Sequence, residues 1–115
     1  METMNEKLNR YREIIKEVLR QRAAIPYPDP EIRDRTLFDE QSDSYAVISE
    51  GWLKAERIHH ILIHLEINNG KVWIQADNTD VAVARELEEH GIPKSDIVLG
   101  FRSPAMRPYT EYAAA

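Results

Sequence analysis

The dipeptide Asn69-Gly70 stands between two runs in which apolar and polar residues alternate, Arg57 to Ile67 before it and the run from Val72 after it. Asparagine and glycine both tolerate the positive φ angles of a two-residue type I′ turn, so the segment is predicted to be a tight β-hairpin. So short a loop dictates the register: Ile67 faces Val72, Leu65 faces Ile74 and Ile63 faces Ala76. The apolar faces of both strands then coincide, with Ile61 extending the row. The reverse face pairs Glu66 with Trp73, His64 with Gln75 and Leu62 with Asp77, which is polar apart from one tryptophan and one leucine.

Around this hairpin the remaining elements follow from periodicity. Met4, Leu8, Tyr11, Ile15 and Val18, flanked by Ile14 and Leu19, have the three-four spacing of an amphipathic helix running from Met4 to Ala24. Pro26 ends it, because proline disfavours a helical Ile25 and has no N–H to donate. Pro28 and Pro30 stiffen the crossing that follows. Glu31 to Asp39 and Tyr45 to Leu53 read as strands joined by the turn residues Gln41-Ser42-Asp43. After the hairpin, Asn78 or Thr79 is placed to cap a short helix whose first turn begins at Asp80 and whose inward side is Val81, Ala84 and Leu87. Gly91 and Ile92 supply a Schellman stop, and Ile97-Val98-Leu99 suits a last short strand. The expected fold is α+β: a long N-terminal helix packed on an antiparallel sheet of about four strands, then a second short helix and a short last strand. All of this forms one domain, residues 1–115.

Composition narrows the function. A chain of 115 residues with 43% hydrophobic and 30% charged residues has the balance of a water-soluble domain, large enough to fold without a metal or disulfide. It has no cysteine, which removes thiolate nucleophiles, zinc–cysteine sites and iron–sulfur clusters and points to a reducing, cytoplasmic setting. No window has the ~18 apolar residues of a membrane span, and the N-terminus lacks the pattern of a secretory signal. Fifteen basic against twenty acidic side chains give a net charge of -5, so nucleic acid would be bound only by a segregated basic patch. The best candidate patch is Arg12, Lys16 and Arg20, four residues apart and stacked along one side of the first helix. A solvated helix face is the plainer reading of the same row.

Two further constellations carry chemistry. On the polar hairpin face His64, Glu66, Gln75 and Asp77 bring an imidazole, two carboxylates and an amide together, enough in principle for acid–base work by His64 and Asp77. Nothing supplies a nucleophile or a phosphate cradle: there is no G-x-G-x-x-G, Walker A or G-x-S-x-G pattern. His60 and His64, read as sharing one strand face, would stand roughly 13 Å apart at the strand rise, too far for one metal, so neither metal nor cofactor is predicted. Trp73 among polar neighbours instead suits a face covered by another chain. The second constellation is the C-terminal arm, where Arg102, Arg107, Tyr109 and Tyr112 sit on a proline-stiffened segment suited to docking, either on its own domain or on a partner.

Several motifs together resemble the XisI-like family: Trp73-Ile74-Gln75 with Asp77, Gly91-Ile92-Pro93-Lys94, Ile97 to Pro104, and Arg107 before Tyr109-Thr110. The helix with Tyr11, the Ile25-Pro26-Tyr27 exit and Gly51-Trp52 also match, so the likeness spans nearly the whole chain. The family is described as a controlling factor for excision of the fdxN element, a DNA segment removed from cyanobacterial chromosomes during heterocyst development. The resemblance implies a small, non-enzymatic accessory protein acting beside a site-specific recombinase and a XisH-like partner. The predicted contact residues are Trp73, Gln75, Asp77, His64, Arg102, Arg107, Tyr109 and Tyr112. Direct nucleic-acid binding through Arg12, Lys16 and Arg20 together with the tail arginines Arg102 and Arg107 is the alternative, and self-association is expected from an unpaired sheet edge.

Overall fold

Thr3 opens the first helix with a reciprocal cap: its hydroxyl accepts from the Glu6 N–H at 3.1 Å, and the Glu6 carboxylate accepts from the Thr3 N–H. The computed structural model describes residues 1–115 throughout. Helix α1 (Met4–Ala23) lies across a five-stranded sheet of β1 (Ile32–Asp39), β2 (Ser44–Leu53), β3 (Glu56–Asn68), β4 (Lys71–Asp77) and β5 (Ile97–Leu99). The strands follow one another in chain order, the first four antiparallel and β5 parallel to β4. Helix α2 (Val83–Glu89) makes the crossover that a parallel pair requires.

The core lies between the helices and one sheet face. Tyr11, Ile15, Val18 and Leu19 of α1 meet Tyr45, Val47, Ile63, Leu65, Val72, Ile74 and Ile97 of the sheet, with Val83, Ala84 and Leu87 closing the α2 side. Met4 is exposed, so the apolar stripe of α1 becomes core only from Tyr11 onward.

At Asn69-Gly70 both residues have positive φ, 53° and 77°, as a type I′ turn demands. The expected pairs Ile67–Val72, Glu66–Trp73 and Leu65–Ile74 are present. Beyond them a bulge leaves Gln75 unpaired, so His64 faces Ala76 and Ile63 faces Asp77 rather than the partners strict alternation assigns. A second bulge at Leu62 shifts β3 against β2, where Val47 faces Ile63 but Ile48 faces Ile61. Its consequence is a change of face. Leu62 packs against the core cluster, while Ile61 is 45% exposed instead of extending the buried row. His60 now pairs with Ser49 on the α1 side and His64 with Ala46 on the other, so the two histidines do not share a face.

The second helix begins at Val83, later than its residue pattern suggests, and Val83 takes the buried place assigned to Val81, which is exposed. Asn78 and Thr79 do not cap it. Asp77 does, from six residues upstream: one oxygen accepts from the Val83 N–H at 2.8 Å and the other from the N–H and hydroxyl of Thr79. The exit is the expected Schellman motif, with Ile92 N–H bonded to Leu87 C=O and Gly91 N–H to Glu88 C=O, both at 3.0 Å. No helix is long and apolar enough to cross a membrane.

Candidate partner surface

Trp73 is the side chain around which the uncovered sheet face is organised. Val72 and Ile74 are sealed in the core, so alternation turns Trp73 outward, beside Glu66 on β3 and Val98 on β5. The ring is half-buried, not bare. The C-terminal arm crosses it, and the Arg107 guanidinium lies 5.0 Å from the ring centroid in a cation–π contact. Arg107 also donates to the Gly100 carbonyl at 3.3 Å. Two polar atoms in this stack, Trp73 Nε1 and Arg107 Nε, are buried without a hydrogen-bond partner in the chain.

The arm reaches this position through a sequence of fixed points. Gly100 follows β5 where a Cβ would stand 2.7 Å from Gln75 Oε1 and 3.1 Å from the Ile74 carbonyl, so a side chain there would have to push the bulged glutamine aside. A short 3-10 turn, Arg107–Tyr109, then sets Arg107 over the indole. Past it, Tyr112 donates to Glu88 of α2 at 2.7 Å, Lys94 pairs with Glu111 at 3.1 Å, and the Ala113 N–H bonds the Ile97 carbonyl at 2.8 Å. Burial, then the Glu88 carboxylate, raises the Tyr112 phenol, which stays protonated as the donor. The arm therefore docks on its own domain, one of the two destinations open to it from its composition.

The predicted contact residues divide into three groups. Trp73, Arg107 and Gln75 meet around Gly100, with His64 one strand away, its Nε2 2.7 Å from Ser44 Oγ and 3.8 Å from Glu66. Asp77 and Tyr112 are turned away to hold α2 and the arm, as structural anchors. Arg102 and Tyr109 face solvent, Arg102 over the Phe101 ring at 5.2 Å and Tyr109 84% exposed. With Phe101 and Met106 also exposed, the arm presents an aromatic and apolar outer side.

Two of the three members of the basic row of α1 are ion-paired within the chain, and the third, Arg20, is exposed. Arg12 makes a bidentate pair with Asp43 at 2.7 and 2.9 Å, Lys16 bridges Glu13 and Glu40, and Arg20 lies 5.5 Å from the Phe38 ring centroid. The Arg12 hydrogen bonds hold the Asp43 carboxyl below its ordinary value. At the other end of the helix Lys7 and Tyr11 bond Asp96 at 2.8 and 2.5 Å and lower it against the opposing effect of burial.

Sequence periodicity gave no sign of one further cluster. Tyr27 donates to Asp34 Oδ1 at 2.8 Å, and buried Ser49 donates to the same oxygen and lies 3.0 Å from the Tyr27 hydroxyl. Asp34, Ser49 and His60 form a row across three strands, but Ser49 is sealed from solvent and bonded to the acid, not to the imidazole, so the row is not a nucleophilic triad. No group of three or more His, Cys, Asp or Glu side chains converges as a metal site requires.

Against known proteins, the family model described as XisI protein matches residues 4–114. The chain belongs to the XisI family. Two solved structures are similar to this XisI-family protein over nearly all of both chains. A XisI-like protein from Anabaena variabilis ATCC 29413 is 35% identical with a TM-score of 0.88, over 94% of this chain and 99% of its own. The fdxN element excision controlling factor XisI from the same organism is 40% identical with a TM-score of 0.80, over 95% and 99%. No curated protein matches the chain.

Proposed function

We propose that this XisI-family protein is a regulatory component of a DNA-element excision system and acts by binding a protein partner rather than by catalysis. A role in excision control rests on the family and on the name of the 40%-identical relative. Contact with a XisH-like protein, beside a site-specific recombinase, is the finer part of the reading. Its main support is the arm clamped across Trp73 by Arg107 and carrying the exposed side chains Phe101, Met106 and Tyr109. Aromatic and arginine side chains with a polar rim are the composition of interface hot spots.

The surface carries the reading because the groups central to the competing ones are already engaged within the chain. Arg12 and Lys16 are paired within the chain and Arg20 lies over Phe38, so a phosphate would have to displace existing partners. Asp77 already holds backbone N–H groups and faces Ile63 instead of sharing a face with His64. Self-association belongs to the same reading, through the unpaired outer edge of β1. A titration of a XisH-like protein against the wild type, Trp73→Ala and Tyr109→Ala tests it. Loss of roughly 2 kcal/mol of binding energy in either variant is expected of a central aromatic, and unchanged affinity in both removes this surface as the interface.

A further inference from the structure

On the α1 side of the sheet, away from Trp73, a cleft of about 520 Å³ opens between the end of α1 and the loop that enters α2. Ile25 and Val81 form its rims and are 62% and 64% exposed, while Leu62 and Tyr27 line its wall. Arg22 and Glu86 also line it but neutralise each other, and Arg22 is further bound by Thr79 and the Val81 carbonyl. Two acids are left, Asp34 and Asp80.

Asp34 differs from every other half-buried carboxylate of the chain. Asp43, Glu50, Glu86, Glu88 and Asp96 face lysine or arginine, Glu66 faces His64, and Asp29 and Asp77 accept from backbone N–H groups. Asp34 has only two hydroxyl donors, Tyr27 and Ser49, and both address Oδ1. The carboxylate is thus oriented by fixed donors while Oδ2 has no partner within the chain. Asp80, exposed nearby, has no ion pair either.

We propose that this cleft receives the guanidinium of an arginine side chain presented by a partner protein. A cation on an apolar stem satisfies both features of the cleft: the stem lies between Ile25, Leu62 and Val81, and the head reaches Asp34 Oδ2. The tyrosine wall favours guanidinium over ammonium, because the planar cation can stack on a ring while donating two hydrogen bonds. An in-chain arginine fits better than a free small molecule, since the rims stand open to solvent and would be covered only by the surface from which the side chain projects. The inference is independent of the Trp73 surface, which lies on the opposite face.

The test is a titration of the full 15N-labelled chain with Nα-acetyl-arginine N-methylamide, followed by amide shifts. The matching lysine and citrulline derivatives and free arginine serve as comparisons. Saturable shifts centred on Ile25, Tyr27, Asp34, Leu62 and residues 78–82 are expected with the arginine derivative, and none with the uncharged citrulline. Asp34→Asn, which keeps the Oδ1 acceptor, should weaken binding roughly tenfold, and Asp80→Asn, which has no internal bond to lose, by a smaller factor. Absence of localised shifts, or equal affinity in Asp34→Asn, overturns the site. Equal binding of the lysine derivative overturns the guanidinium assignment, and tighter binding of free arginine overturns the partner as its source.

Discussion

The two edges of the sheet are finished in different ways. At the β5 edge the chain returns on itself: Ile97 and Val98 are fully buried, Ala113 bonds the Ile97 carbonyl, and Tyr112 and Arg107 fasten the arm to α2 and Trp73. At the β1 edge nothing returns. Ile32–Asp39 pairs only with β2, and its exposure alternates because one face is covered while Arg33, Arg35 and Leu37 stand on the uncovered one. The lesson is that a three-residue strand can be more central than an eight-residue one, because burial of its side chains, and not strand length, sets its contribution.

The sharpest test substitutes equivalent residues at the two edges. Ile97→Ala should cost about 3 kcal/mol, the range for a buried isoleucine whose cavity cannot collapse, whereas Leu37→Ala, with its side chain half in water, should cost less than about 0.5 kcal/mol. Urea unfolding midpoints would show the gap, and equal losses would mean that the edges are energetically alike. Next in size is removal of the arm after Met106, which strips the Tyr112 packing and its bond to Glu88. A loss of about 2 kcal/mol is expected, with new concentration-dependent association as the β5 edge comes to resemble β1. Unchanged stability and sedimentation would show that the arm is an ornament on an edge already closed.

Acid should affect both edges, since α1 is tied to each by a carboxylate whose folded value is lowered: Asp43 through Arg12 on the β1 side, and Asp96 through Lys7 and Tyr11 on the β5 side. A lowered folded value means that the native state favours the charged form. This stabilisation is present above the ordinary value of 3.8 and is lost as pH falls through the lowered one. Asp43→Asn should therefore lower stability by about 1.5 kcal/mol at pH 7 and flatten the decline below pH ~4. Hydrogen exchange in acid should open the β1–β2 loop before β5, where packing remains. Simultaneous opening would erase the distinction.

How far the sequence foretold this arrangement depends on the range of the interactions. The α1 helix, the Asn69-Gly70 turn and the Gly91-Ile92 stop are decided by neighbours within a few residues, and each stands where its local chemistry places it. The bulges at Leu62 and Gln75 are not local. They reconcile β3 with β2 on one side and β4 on the other, and the Gln75 side chain ends beside Gly100, which belongs to a distant segment. Arg12 meets Asp43 across 31 residues and Lys16 meets Glu40 across 24, so no helical spacing could show that these two members of the basic row are already paired. Of the candidate site, Trp73 and the arm are visible as unusual composition, but their mutual contact depends on the arm's path.

That contact yields the smallest effect and the closest view of the sealed edge. Arg107→Ala removes the cation from the Trp73 ring and the bond to Gly100, while Tyr112–Glu88 and Ala113–Ile97 still hold the end of the arm. Stability should fall by only about 0.5–1 kcal/mol, the worth of a partly exposed cation–π pair. The indole itself should become accessible. Because Trp52 at the β2–β3 tip is exposed and would dominate emission, the measurement belongs in a Trp52→Phe background, with acrylamide quenching of Trp73 as the readout. A clear rise in quenching with little loss of stability means that Arg107 is the lid over an otherwise available ring. Unchanged quenching means that the neighbouring arm shields Trp73 without it, and that a partner meets the arm rather than the indole.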